Sequence, residues 1–237
     1  MSNVLFRDLS GMAEFRAAED LQRQVWGDGD LPDPADLMMV IQAEGGLVGG
    51  AFADDRLVGY IFGFPTRDPQ VQHSHRLAVL AQTRGMGLGV RLKLYQRDWC
   101  LARGISRVRW TFDPLRALNA SLNIDRLGAQ SDTYLENYYG DMGGINSGMG
   151  SDRLLVDWNL AAPWVAGRAV GASGLPERGV PLDVALPDNI EQLAAERPVQ
   201  AESLRIALRS ALQSSFAKGG RIIGFDRHSR VYLMARR

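Results

Sequence analysis

Gly85, Gly87 and Gly89 alternate directly behind Arg84, between the apolar run Leu77-Ala78-Val79-Leu80 and a helix-like stretch. A junction of that kind aims backbone N–H groups and the positive end of a helix dipole at one point. Glycine is needed because successive amides converge on an anion only in conformations that a Cβ obstructs. The chemistry offered is phosphate binding. It is not a P-loop, since no Lys-Ser/Thr follows, and the G-x-G-x-x-G dinucleotide pattern fails because Val90 stands where its third glycine belongs. Just upstream, His73 and His75 are two of the chain's three histidines. Alternation along a strand turns both to one face with Leu77 and Val79. His75 is the candidate general base, with a structural histidine as the equal alternative. A metal site built on the pair lacks a third ligand, so no metal is expected.

Charge gathers around the same loop. From Arg76 to Arg109 there are eight basic residues and one acidic, Asp98, while the whole chain balances 27 Lys+Arg against 27 Asp+Glu. Overall neutrality excludes a nucleic-acid coat or a polybasic membrane binder, whereas the local surplus suits one small polyanion. With 46% hydrophobic and 23% charged residues, the 237-residue chain can form a full core. Its longest nearly apolar stretch, Gly45 to Pro65, is interrupted by Asp54, Asp55 and Arg56, so no membrane span is expected. No secretory signal is visible at the N-terminus, and a cytoplasmic location is expected. The single Cys100 excludes an internal disulfide and a cysteine-based zinc site and reads as a buried thiol.

The elements that must hold these residues alternate through about residue 160 in the order β-α-α-β-β-β-α-β-α-β-β, an α/β class with a mixed sheet. Ser10 is a candidate N-cap for a helix over Ala13 to Val25, and Pro34 opens a second helix at its first position. Leu47–Ala53 and Leu57–Phe64 form a hairpin about Asp54-Asp55-Arg56. In the helix behind the glycines, Leu88, Leu92, Tyr95, Trp99 and Ala102 make one stripe. Gln130–Tyr139 and Arg153–Leu160 read as strands joined by a glycine-rich loop. Residues 161–179 read as a linker, and 180–237 as a β-α-α-β-β extension packing on the first domain (1–160) or on a partner subunit, a homodimer included. In it Val180, Leu182, Val184 and Leu186 alternate as a strand, Asp188 and Glu191 form a capping box, and Arg205 and Arg209 point outward from a helix over Ala201 to Phe216.

Arg84, Gly87 and Gly89 fit Q/R-x-x-G-x-G/A, and the loop resembles the coenzyme A pyrophosphate loop of the GNAT superfamily of N-acyltransferases. Leu77-Ala78-Val79 is similar to the central strand of that family, and the element order matches its sheet. The resemblance implies a GNAT-like fold with acetyl-CoA as co-substrate. It implies coenzyme binding by Leu77, Ala78, Val79, Arg84, Gly85, Met86, Gly87, Leu88, Gly89 and Val90, with Asn119 and Asn123 offering amides to the pantetheine arm. The segment from Asp113 to Ala129 is similar to the family's asparagine-bearing helix but departs from it twice. Ile124 replaces the tyrosine that often serves as general acid, and Ala129 replaces the aromatic residue after Gly128. Trp110-Thr111-Phe112-Asp113-Pro114-Leu115, Tyr139-Gly140-Asp141 and Ser151-Asp152-Arg153-Leu154-Leu155 resemble a poorly characterised bacterial branch of predicted acetyltransferases.

Acyl transfer to an amine needs an unprotonated amine and a proton for the departing sulfur; at pH 7 deprotonating a lysine-like amine costs roughly 4–5 kcal/mol. Tyr134, Tyr138 and Tyr139 are the candidates for the acid, with Tyr138 and Tyr134 on one strand face and Tyr138 preferred. Asp113 and Asp141 are candidates for holding a cationic acceptor, with a turn role as the alternative for Asp113. The expected function is an N-acetyltransferase acting on a small-molecule or peptide amine, with no nucleic-acid partner. The competing reading is a non-catalytic acyl-CoA sensor or partner-binding module.

Overall fold

The computed structural model describes residues 4–27, 29–83, 85–140, 150–172 and 179–236, which fall into two compact units, Met1–Arg109 and Trp110–Arg237. The first unit runs β1 (Val4–Asp8), α1 (Gly11–Trp26), α2 (Ala35–Ala43), β2 (Leu47–Ala53), β3 (Arg56–Pro65), β4 (Val71–Val79), α3 (Leu88–Leu101) and the start of β5 (Arg107–Phe112). Strands β1 to β4 pair antiparallel in chain order, and β5 joins β4 in parallel, Val71–His73 against Arg107–Arg109. A parallel pair requires a crossover, and α3 supplies it. The fold is therefore mixed α/β, as the order of sequence patterns anticipates.

Alternation sorts the two faces of this sheet. Val48, Phe52, Tyr60, Phe62 and Ala78 pack with Leu9, Phe15, Leu21 and Met38 beneath α1 and α2. The opposite face is thinned by glycine where α3 approaches: a Cβ on Gly49 would stand 2.7 Å from the Tyr95 ring. The β2–β3 turn is Asp54-Asp55 with φ of 48° and 61°, the left-handed pair of a type I′ hairpin.

The second unit contains the end of β5, α4 (Ala117–Ala120) continuing into a π-helical turn (Ser121–Arg126), β6 (Gln130–Leu135), β7 (Arg153–Asn159), α5 (Pro163–Ala169), β8 (Val180–Pro181), α6 (Ile190–Glu196), α7 (Pro198–Ala217), β9 (Gly220–Asp226) and β10 (Val231–Arg236). Its strands lie in the order β7-β6-β9-β10-β8 with antiparallel neighbours. Leu154, Val156, Trp158, Ile222, Phe225 and Tyr232 are buried together with Leu208 and Leu212 of α7. The Tyr232 hydroxyl donates to the Pro114 carbonyl at 2.7 Å.

Several boundaries differ from the sequence reading, each for a local reason. Pro34 is the N-cap of α2, one place before the helix. Ser10 caps α1 without a side-chain bond; its own N–H donates to the Glu14 carboxylate at 2.8 Å. Asn189, and not Asp188, caps α6 by accepting from Gln192 N–H. Residues 182, 184 and 186 stay more buried than their neighbours, but only Val180–Pro181 pairs as strand; beyond it the Leu182 and Leu186 N–H groups bond the Tyr232 and Arg230 carbonyls, both at 2.8 Å, as isolated links. The expected linker contains α5, pinned by a Trp164 Nε1–H bond to the Gly128 carbonyl at 3.0 Å. Arg205 and Arg209 do not point outward: Arg205 is 2% exposed against Asp113, and Arg209 grips Asp152. Helical periodicity marked the Leu204-Leu208-Leu212 stripe but could not show that two buried aspartates stand beside it.

Candidate active site

The glycine loop folds as an open cradle. Gly87 is the N-cap of α3 at φ 68°, ψ 18°, and Gly85 stands at φ 86°. A Cβ built on either would meet nothing within 4 Å, so both need glycine for conformation and both face open space. Arg91 N–H is the first to bond back along the helix, to the Gly87 carbonyl at 3.1 Å. The N–H groups of Leu88, Gly89 and Val90 therefore precede the intrahelical ladder. Behind the cradle, Leu80 N–H bonds the Val58 carbonyl at 2.9 Å and the Thr83 hydroxyl closes a turn on the Leu80 carbonyl at 2.9 Å. Exposed Met86 and half-buried Val90 flank it, Leu88 is buried, and Gly89 packs 3.7 Å from Leu77. Arg84 lies outside the described residues. The rest fits a pyrophosphate, which needs converging amides and room.

Strand β4 places the histidines by an irregularity that alternation cannot anticipate. Its register to β3 shifts between Phe62↔Arg76 and Gly63↔Ser74, leaving His75 as an inserted residue. A bulge of this type turns two consecutive side chains to one face. His75 and Arg76 accordingly both meet the α1–α2 connection: His75 Nε2 lies 3.3 Å from Asp33 Oδ1, and Arg76 pairs with Asp30 at 2.8 Å and Asp33 at 3.3 Å while capping the Trp26 ring at 4.8 Å. Leu77 and Val79 face α3 instead, and Ala78 joins the core under α1. The expectation that His73, His75, Leu77 and Val79 share a face is thus corrected beyond the bulge. His73 stacks on Phe64 at 5.0 Å, and burial, with the nearby charges of His75, Lys93 and Arg109, lowers its pKa to about 4.

Residues 12–120 match the family model described as acetyltransferase (GNAT) family. That stretch is similar to a GNAT-family acetyltransferase domain. No curated protein sequence matches it. Among solved structures, the ribosomal-protein-S18-alanine N-acetyltransferase from Escherichia coli is 16% identical, covering 68% of this chain and 96% of that one at a TM-score of 0.55. Diaminobutyrate acetyltransferase EctA from Paenibacillus lautus, solved with L-2,4-diaminobutyric acid and coenzyme A, is 17% identical over 68% and 98% at 0.54. Phosphinothricin acetyltransferase from Sinorhizobium meliloti, solved with AcCoA, is 16% identical over 65% and 86% at 0.53. At such identities the likeness is one of fold.

Within the matched stretch the basic surplus from 76 to 109 is not all directed at the cradle. Arg76 is committed to Asp30 and Asp33, Arg103 covers the Trp99 ring at 3.8 Å, and Arg91 covers Phe6 at 4.5 Å. Lys93 is 3% exposed, its Nζ donating to Ser74 Oγ at 2.7 Å and Gln96 Oε1 at 3.2 Å. Gln96 in turn donates to Gln72 Oε1 at 2.6 Å, and the buried Cys100 thiol to the same oxygen at 3.5 Å. Burial lowers the Lys93 pKa to about 7, and burial raises that of Cys100 to about 12, away from thiolate chemistry. In the unfolded chain Lys93 titrates near 10.4, so between the two values the unfolded state holds one more proton and stability rises with pH. Unfolding free energy should climb by about 2 kcal/mol from pH 7 to pH 9, and Lys93→Met should flatten that rise. Denaturant melts at the two pH values check it; an equal slope in both proteins contradicts it.

In the second unit, Asn119 sits part-exposed on α4 while Asn123, 5% exposed, falls in the π-helical turn. Ile124, where the resemblance leads one to expect a tyrosine, is fully buried core. Strand β6 ends at Leu135, so Tyr138 lies in a turn, 53% exposed and edge-on to Tyr139 at 4.8 Å, and does not share a strand face with Tyr134. Tyr134 donates to Asp152 at 2.6 Å, and its own burial, with that bond, raises its pKa above the ordinary phenol value. Burial works to raise Asp152, but donation from Tyr134, Asn137 N–H and Arg209 outweighs it and holds the carboxyl low. Asp141 and the rest of the expected glycine-rich loop through Met149 lie outside the described residues. Among the described residues, no group of three or more His, Cys, Asp or Glu side chains could hold a metal, and no helix is long and apolar enough to cross a membrane.

Proposed function

We propose that the chain is an acetyl-CoA-dependent N-acetyltransferase, moving an acyl group directly from the coenzyme thioester to an amine of a small molecule or peptide. The observation that carries the reading is the pair of left-handed glycines, Gly85 and Gly87, open to solvent at the start of α3. When bound, the coenzyme supplies the activated acyl carbonyl. Amides of Leu88, Gly89 and Val90 would hold its phosphates, with Leu77, Ala78 and Val79 alongside and Asn119 and Asn123 as further candidates for the pantetheine arm. His75 takes one proton from the acceptor ammonium; the freed amine attacks the carbonyl, the C–S bond breaks, the departing thiolate takes up a proton, and the second proton of the new amide nitrogen replaces the one so donated. Tyr138 is the proposed donor of the thiolate's proton, its exposed hydroxyl being available where Ile124 offers none.

Ile124 also favours the second reading, a sensor that binds acyl-CoA without turning it over. Thiol release from acetyl-CoA across a panel of amines separates the two. An enzyme releases thiol with at least one amine, and His75→Gln then lowers turnover by about 100-fold while coenzyme affinity stays within about twofold. Tight binding with a blank in every amine favours the sensor. Equal losses of binding and turnover in His75→Gln refute its role as base.

A further inference from the structure

The connection between α1 and α2 is fixed with more care than a loop tip requires. Gln22, 1% exposed on α1, clasps the backbone of Asp33 from both sides: its Oε1 accepts the Asp33 N–H at 2.8 Å, and its Nε2 donates to the Asp33 carbonyl at 3.3 Å. Two residues on, Ala35 N–H donates to Glu19 Oε2 at 2.9 Å. The backbone is therefore held independently of the Asp33 side chain. That side chain, 14% exposed, reaches two groups of β4, with Oδ1 3.3 Å from His75 Nε2 and Oδ2 3.3 Å from Arg76 Nε. Around the His75 ring stand Phe62 at 5.7 Å, Phe64 at 5.6 Å and His73 at 6.3 Å.

An ionised carboxylate only accepts hydrogen bonds. The ring nitrogen facing Asp33 must then be the one that carries the proton, and the neutral ring keeps its lone pair on Nδ1. The bulge at His75 is what brings this about, since it turns His75 and Arg76 together toward the same carboxylate. We propose that Asp33 is the positioning residue for His75, fixing its Nε2–H tautomer and leaving Nδ1 as the atom that receives the acceptor's proton. When Nδ1 is protonated the imidazolium still donates from Nε2 to Asp33, so the carboxylate also faces the charge that the step creates. The inference rests on the reading of His75 as base.

Asp33→Asn gives the sharpest test. Arg76 faces Oδ2 as an ion pair at 3.3 Å, so an amide at this position would keep its oxygen toward the guanidinium and turn its NH2 toward His75. That amine can donate only to an unprotonated Nε2, which inverts the tautomer. Nitrogen-15 spectra of the full chain at alkaline pH, with His75 assigned by comparison with His75→Gln, should show the Nε2–H form in the unaltered protein and the Nδ1–H form in Asp33→Asn. Asp33→Ala, with the Gln22 clasp intact, should show a mixture at an almost unchanged melting temperature. With the amine that gives the fastest thiol release, kcat should fall by about 10–100-fold in both variants while the KM for acetyl-CoA holds. An Nδ1–H form in the unaltered protein, or a tautomer indifferent to both substitutions, overturns the assignment of Asp33. A tautomer that inverts with kcat unchanged overturns the role of His75 as base, so the two failures read separately.

Discussion

Arg205→Met should cost about 3–5 kcal/mol of unfolding free energy, among the largest losses any single substitution in the second unit can cause. The guanidinium meets the Asp113 carboxylate at 3.2 Å and 3.5 Å, and the two side chains are 2% and 8% exposed. Asp113 cannot relax toward solvent, because its Oδ1 also accepts the Leu115 N–H at 2.9 Å and so closes the turn after β5. Removing the arginine strands a buried carboxylate whose desolvation is no longer offset, whereas removing both charges spares that penalty. The double variant Arg205→Met, Asp113→Asn should accordingly be less damaged than Arg205→Met alone. Urea melts of the three variants decide it: a loss under about 1 kcal/mol for the single substitution contradicts the argument, since that is the scale of a solvent-screened surface pair. A domain holds only about 5–15 kcal/mol in total, so the predicted loss brings the unit near its limit of stability.

The second large effect concerns the cradle and has a built-in control. Gly87 and Gly104 both sit in the left-handed region, at φ 68° and 75°, and a Cβ on either meets nothing within 4 Å. Alanine at either position therefore carries the same backbone strain, about 1–2 kcal/mol. Only Gly87 caps the helix that opens the glycine loop; Gly104 follows the other end of α3. Gly87→Ala should weaken acetyl-CoA by about 10–100-fold in calorimetry, the value of one or two charge-assisted hydrogen bonds to phosphate. Gly104→Ala should bind normally despite an equal loss of stability. Equal affinity in both variants would mean that the phosphates lie elsewhere.

Sequence periodicity carried most of the first unit because its signals are local. Glycines at fixed spacing, an Asp-Asp turn between two apolar runs and one apolar stripe on α3 each follow from a few neighbouring residues. The cradle was legible for the same reason, since φ above zero at Gly85 and Gly87 is a demand that residue type alone records. What escaped depends on tertiary pairing. The bulge at His75 exists only in the register between β3 and β4, and no count of alternating residues along one strand contains it. Asp33 is far along the chain from His75 and reads only as the residue before a helix-opening proline until Gln22 is seen holding its backbone. Lys93 looked like one more charge for a polyanion, although its i, i+3 relation to Gln96 placed both on one face of α3 and could have marked a shared polar cluster. Arg205 and Arg209 misled for a related reason: helical periodicity says which side is apolar, and nothing about a carboxylate buried beside that side.

On the proposed function, the amides at the start of α3 hold the phosphates of acetyl-CoA. Titrating unlabelled acetyl-CoA into the nitrogen-15-labelled full chain tests it most directly, by following the backbone amides of Gly85, Gly87, Leu88, Gly89 and Val90. Saturable shifts, largest at these five amides and weakened by Gly87→Ala, are the predicted result. Saturation with these amides unmoved, or no shift at millimolar ligand, contradicts the account.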